Sequence, residues 1–160
     1  MANLVPTMVQ VHIARPSARH GWELLVLRRS PKVTRYPGIV QCVTGRVEKD
    51  ETAVACALRE TWEETSLTPS RMWILPHVAT WYSLPSDTVE SSPCFGIVVE
   101  AGANVHISTE HDSFEWVSSD DAVERFLIPS QRLCAELFLR RLASGVNVEL
   151  WNMVYAIDLR

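Results

Sequence analysis

Four carboxylates, Glu51, Glu60, Glu63 and Glu64, gather with one guanidinium, Arg59, inside the run GRVEKDETAVACALRETWEETSL at positions 45–67. Acids at that density suit a divalent-metal site acting on an anionic substrate. Helix geometry tests the spacing. At about 100° per residue, Glu60 and Glu64 lie about 40° apart around a helix axis, and Glu63 falls about 60° to the other side of Glu60. One helix face therefore carries all three carboxylates. Three like charges within one turn repel, and Arg59 offsets only one of them. Hard cations such as Mg²⁺ or Mn²⁺ would offset the rest, because they take carboxylate oxygens and keep waters that a phosphate can displace. Taken alone, the same run also reads as a solvated acidic helix face.

The flanking residues decide between these readings. Gly45, five residues, Glu51, seven residues, then Arg59-Glu60-Thr61-Trp62-Glu63-Glu64-Thr65-Ser66-Leu67 closely resembles the Nudix box, the signature of the Nudix (MutT-like) hydrolase family. Two positions depart from that pattern. Thr61 stands where the family prefers a bulky aliphatic residue, and Ser66 stands where it prefers Gly. Gly would suit a left-handed helix end, so Ser66 implies either a strain of about 1 kcal/mol or a differently shaped exit turn.

The resemblance implies a loop–helix–loop in which Glu60, Glu63 and Glu64 bind divalent cations and one acid serves as base. It also implies a backbone carbonyl near Gly45 as a further ligand, and Arg59 with Glu51 as an orienting pair. The chemistry explains the need for such a set. A diphosphate is a dense anion that water attacks slowly, so cations must offset its charge and lower the pKa of the attacking water. Acids on one rigid helix hold those cations at a fixed separation.

The elements that must position this helix are legible around it. Residues 8–14, MVQVHIA, and 22–29, WELLVLRR, form a hairpin across a polar turn. After Pro37-Gly38, the strand IVQCVTG delivers Gly45 to the metal loop. Residues 51–65 lack Gly and Pro, and Val54, Ala57, Leu58 and Thr61 trace a stripe at helical spacing that should pack on a sheet. Residues 72–84, 94–100 and 114–117 read as further strands, with Pro76 implying an edge or a bulge. Ser118–Asp121 caps a short helix through Phe126, and Ser130 caps a longer one through Ser144, ended by Gly145. The resemblance implies the α/β Nudix fold, a mixed β-sheet packed between helices as an α-β-α sandwich.

A chain of 160 residues with 47% hydrophobic content suits one domain, 1–160, with an apolar C-terminal extension at about 146–160 that adds a strand or helix against the body or a partner subunit. A homodimer is reasonable on that tail. The net charge, 15 basic minus 19 acidic side chains or −4, does not suggest binding to nucleic acid polymers. The first residues show neither a secretory leader nor a membrane span, so a cytoplasmic location is expected and no membrane partner. Cys42, Cys56, Cys94 and Cys134 lack paired short spacings and read as buried thiols.

Two further segments, YPGIVQCVTGRVE and TEHDSFEWVSSDDAVERF, resemble the Nudix subgroup that includes dihydroneopterin triphosphate pyrophosphatases. Glu110, in the second, is a candidate to complete the metal site or act as base; otherwise it is a loop acid beside His111 and Asp112. Glu115 alternates with Phe114 and Trp116 and should face solvent. Arg28, Arg29, Lys32, Arg35 and Arg46 flank the metal loop and could clamp phosphates, with Arg28 and Arg46 foremost. Tyr36, Trp81 and Tyr82 could stack a flat ring, with Tyr36 and Trp81 foremost. Trp62 should pack. His77 and His106 should be structural. The chain therefore reads as a metal-dependent hydrolase of a nucleotide-like or pterin diphosphate substrate; the alternative is a noncatalytic module of the same fold that binds a nucleotide or ADP-ribose.

Overall fold

The computed structural model describes residues 4–144 and the backbone of Ala156–Ile157. Within those residues the strands are β1 (Met8–Ser17), β2 (Gly21–Arg29), β3 (Val40–Gln41), β4 (Val43–Arg46), β5 (Arg71–Ser83), β6 (Thr88–Val98), β7 (His111–Ser118) and β8 (Ala156–Ile157). The helices are α1 (Ala53–Thr65), α2 (Ser119–Arg125) and α3 (Pro129–Ser144). The strands form one sheet in the order β3-β2-β1-β6-β5-β8, with β4 also on β1 and β7 on β2. It is mixed: β1 and β6 run parallel, from Gln10↔Cys94 to Ala14↔Val98, and the other pairs are antiparallel.

Period-two alternation on β1 separates two cores. Val9, Val11 and Ile13 join Val43, Phe95 and Ile97 beneath α1, where Cys56, Ala57 and Leu67 close the layer. Ala14 faces the other way and joins Leu24, Trp73, Cys94 and Val98 beneath Phe126, Cys134 and Phe138 of the α2–α3 side. The sheet is thus covered on both faces, which is the expected sandwich. All four cysteines are free and buried.

Several boundaries differ from expectation for local reasons. The α1 helix starts after Thr52, whose Oγ1 accepts from the Ala55 amide at 3.1 Å, so Glu51 belongs to the entering loop. α3 begins at Pro129, one residue before the expected Ser130 cap; proline suits a first helical position because it has no N–H to leave unpaired. β6 begins at Thr88, because polar residues Glu90, Ser91 and Ser92 obscured a strand that pairs with β5 from Val78↔Pro93 to Ser83↔Thr88. Pro76 sits in the bulge of β5 between Ile74 and Val78. Trp62, expected to pack, is 57% exposed. Of the apolar tail, Ala156–Ile157 pairs with Trp73 and Met72 on β5; residues 146–155 and 158–160 lie outside the described residues.

Candidate active site

β4 runs directly beneath the acid-bearing helix, and Gly45 is where the two meet. A Cβ at Gly45 would fall inside the Glu60 side chain, so only glycine lets β4 approach that closely while Glu60 keeps its present position. The next residue, Arg46, offers its carbonyl to Arg59 Nη2 at 3.1 Å.

Arg59 is the hub of the cluster. Its Nε and Nη2 grip Glu51 at 2.9 and 3.0 Å, while Nη1 donates to Glu60 at 2.8 Å and to Glu63 at 3.0 Å. The guanidinium fork suits this, since a lysine could not satisfy two carboxylate geometries at once. Hydrogen bonds from Arg59 and from the Glu48 amide hold the Glu51 carboxyl down at about 2. Arg59 and Glu51 thus form a two-pronged ion pair.

Glu64 lies on the same helix but is withdrawn from Arg59. It is 4% exposed, and its Oε2 has no hydrogen-bond partner among the described residues. Burial, then repulsion from Glu60 and Glu110, pushes its carboxyl well above the usual range, while the Thr44 backbone and Arg29 pull the other way. Glu60 is raised for similar reasons: burial first, opposed by Arg59 and reinforced by Glu63 and Glu110. Glu110 therefore stands close enough to act on both helix acids.

The loop carrying Glu110 is pinned to the helix end. Ser108 N–H donates to the Glu64 carbonyl at 3.1 Å, His106 N–H to the Thr65 carbonyl at 2.9 Å, and Ser30 N–H to the Glu110 carbonyl at 2.8 Å. The first two bonds use helix-end carbonyls that would otherwise be orphaned. Ser66 ends α1 in the left-handed region, φ 56°, with its N–H on the Trp62 carbonyl at 2.8 Å. The exit turn thus has the shape that Gly would favour, adopted by Ser.

The remaining candidates are more scattered. Arg28 is held bidentately by Asp112 at 3.0 and 2.7 Å. Arg46 is exposed. Tyr36 is exposed in a turn at φ 50°, and Trp81 lies on β5 opposite Glu90. Glu115 is exposed and pairs with Arg125 at 2.7 Å.

One neighbour of Glu64 escaped sequence reasoning, together with the glutamine that holds it. His111 is buried with Nε2 at 3.8 Å from Glu64 Oε2 and 3.4 Å from Gln41 Nε2. Burial, with Arg29 nearby, lowers its pKa to about 4, so it is neutral at physiological pH. Its position directly after Glu110, at the start of β7, was the available signal.

As the side chains stand, no three His, Cys, Asp or Glu groups among the described residues converge as a ready metal-ligand set. The reason is visible: Arg59 draws Glu60 and Glu63 toward itself, and Glu64 turns inward. The donors nevertheless fit a hard cation, because they are carboxylate oxygens and one of them is buried without a partner.

A family profile described as NUDIX domain matches residues 7–138. An octanoyltransferase of Myxococcus xanthus is 38% identical over 120 residues, 74% of this chain and 31% of that protein. The chain thus spans under a third of that relative. An RNA pyrophosphohydrolase of Roseobacter denitrificans is 32% identical over 108 residues, 58% of this chain and 67% of that protein. A Nudix hydrolase structure from Listeria monocytogenes superposes with TM-score 0.72 at 24% identity, covering 85% of this chain and 94% of that one. The dihydroneopterin triphosphate pyrophosphohydrolase of E. coli superposes with TM-score 0.67 at 22% identity, covering 86% and 99%. At these identities the two structures speak for the fold.

Proposed function

The chain belongs to the Nudix family, and from that premise we propose that it is a pyrophosphohydrolase that uses Mg²⁺ or Mn²⁺ to cleave a phosphoanhydride bond in a nucleotide-like or pterin triphosphate substrate. The observation that carries this reading is Glu64: a nearly buried carboxylate with an unpartnered oxygen, on the helix face that also bears Glu60 and Glu63. A buried unpaired acid costs stability, so a chain that places one beside two more acids has a cation to meet there.

Glu60, Glu63 and Glu64 would hold the metal, with the Gly45 backbone beside them and Glu110 reaching in from the loop. When bound, the metal supplies charge neutralisation for the diphosphate and lowers the pKa of a water. The chain's own groups do the rest. Arg59 orients Glu60 and Glu63 while anchored on Glu51 and the Arg46 carbonyl. The raised affinity of Glu64 and Glu60 for a proton suits one of them, or Glu110, to receive the proton from water. Four free buried thiols fit a reducing cytoplasm.

The test is a phosphate-release screen over nucleoside triphosphates, oxidised nucleotides, dihydroneopterin triphosphate, dinucleoside polyphosphates and nucleotide sugars. One relative is named for action on RNA, so triphosphate-ended RNA joins the panel. Turnover that needs Mg²⁺ or Mn²⁺, and that Glu63→Gln and Glu64→Gln each reduce at least tenfold, is expected. Metal-independent turnover, or unchanged turnover in both variants, refutes the site.

A further inference from the structure

The sheet face turned away from α1 carries polar groups that the acid cluster does not use. On β6, Cys94, Ser92 and Glu90 alternate onto this face, and Cys94 pairs with Gln10 of β1. Across the β5–β6 ladder, Ala79 opposes Ser92 and Trp81 opposes Glu90 in unbroken register. Trp81 therefore shares the face with Glu90. Glu90 is 8% exposed and Ser92 fully buried, yet Glu90 Oε2 and Ser92 Oγ find no hydrogen-bond partner among the described residues. A buried carboxylate oxygen without a donor is unfavourable unless something else supplies the N–H. Directly beside it, Trp81 keeps 39% of its surface open. An indole plate next to an unpaired carboxylate matches a flat heterocycle that carries adjacent N–H donors along one edge.

We propose that Trp81 and Glu90 form the ring subsite of the substrate, Trp81 stacking on the heterocycle and Glu90 accepting two N–H groups from a 2-amino-4-oxopyrimidine edge, the edge common to guanine and pterins. This deepens, and rests on, the phosphoanhydride hydrolase reading. Hypoxanthine lacks the 2-amino donor, and adenine presents an acceptor nitrogen where guanine presents N–H, so Glu90 discriminates against both.

The path to the acids runs through Arg46. Gly45 faces Glu60, so its neighbour Arg46 projects to the ring side of the sheet. Arg46 pairs with Met8 across β1, and Thr7 N–H donates to the Ser91 carbonyl at 2.9 Å on the other side. Ser92 thus lies about 10 Å from Arg46, two strand spacings away. Arg46 also bonds Arg59 through its carbonyl. A substrate with its ring on Trp81 would cross this end of the sheet past the Arg46 guanidinium, which suits an anionic phosphate chain.

Two measurements test the subsite. Calorimetry in EDTA gives Kd for GMP, IMP and AMP; steady-state kinetics with Mg²⁺ gives kcat/KM for GTP, dihydroneopterin triphosphate, ITP and ATP. The parent should bind GMP at least tenfold more tightly than IMP or AMP. Glu90→Gln should bring the GMP/IMP ratio to within about twofold of unity, while IMP binding changes less than threefold and the melting temperature does not fall. Trp81→Ala should weaken all three about tenfold, with Trp81→Phe recovering most of the loss. A preference for either GTP or dihydroneopterin triphosphate supports the shared edge. A GMP/IMP ratio unchanged in Glu90→Gln, or a parent that binds AMP as tightly as GMP, overturns the proposal. The two readings fail separately: binding discrimination without turnover sinks only the hydrolase, and turnover without discrimination sinks only the ring subsite.

Discussion

Replacing Gly45 by Ala tests whether the meeting of β4 and α1 sets the geometry of the acids. The added Cβ would occupy the space of Glu60 Cγ, Cδ and Oε1. Because the nearest atoms belong to a flexible side chain, the backbone can stay and Glu60 must leave. That departure breaks the 2.8 Å bond to Arg59 Nη1 and forces a new Glu60 rotamer in a half-buried setting. Overpacking of this kind costs about 1–3 kcal/mol. The ion pair adds little, because Arg59 keeps a quarter of its side chain in solvent. A total of about 2 kcal/mol corresponds to a fall of roughly 4–8 °C in melting temperature for a chain of this size. The effect on turnover should be larger, since displacing a positioned group by about 1 Å can cost on the order of 100-fold. The assay pairs thermal melts with kcat on whichever substrate the screen identifies. Gly102→Ala serves as control, having nothing within 4 Å of its added Cβ, and should sit within about 0.5 kcal/mol of the parent. A double-mutant cycle isolates the cause: in a Glu60→Ala background, the stability cost of Gly45→Ala should nearly vanish. If Gly45→Ala keeps kcat within threefold of the parent, or if the cost persists without the Glu60 side chain, the reasoning is wrong.

Three other perturbations bear on the same cluster. Glu64→Gln should stabilise the metal-free protein near neutral pH: the folded carboxyl titrates well above its unfolded value, so the parent loses stability as pH rises from about 4 through the folded pKa. Melts in EDTA at pH 4.5 and 7.5 should show the variant's advantage only at the higher pH, and a variant less stable than the parent at pH 7.5 would falsify the burial argument. Ser66→Gly should gain about 0.5–1 kcal/mol by relieving the left-handed conformation at φ 56°; urea denaturation reads it, and a loss of stability would mean that the turn is held by the serine itself. Arg59→Lys keeps the charge but cannot fork between Glu51 and the helix acids, so kcat should fall at least tenfold and Mn²⁺ affinity, followed by calorimetry, should change as Glu60 and Glu63 are released; equal Mn²⁺ affinity in the two proteins contradicts the hub.

What could be read in advance followed from how local each signal was. The acids at 60, 63 and 64 sit one turn apart, so helix geometry alone puts them on one face, and Arg59 reaches Glu51 only eight residues back. The stripe beneath α1 and the bulge at Pro76 are likewise local consequences of periodicity and a missing N–H. His111 and Gln41 were not legible, because their meeting at 3.4 Å spans seventy residues and no spacing rule crosses that gap. The same limit hid Glu90. In the chain it is one polar residue in a short run before Pro93, which weakened the strand signal and moved the expected start of β6 to Cys94. Only the pairing of Glu90 with Trp81 turns a poor strand former into a buried acceptor beside an aromatic face. Residues that weaken a local pattern are tolerated when something outside that pattern needs them. Glu90 meets this description; Glu64, on α1 over the other face of the sheet, is likewise a buried acid with an unpartnered oxygen. Under the two proposals one substrate would answer both costs, its phosphates and their metal at Glu64 and its ring N–H groups at Glu90.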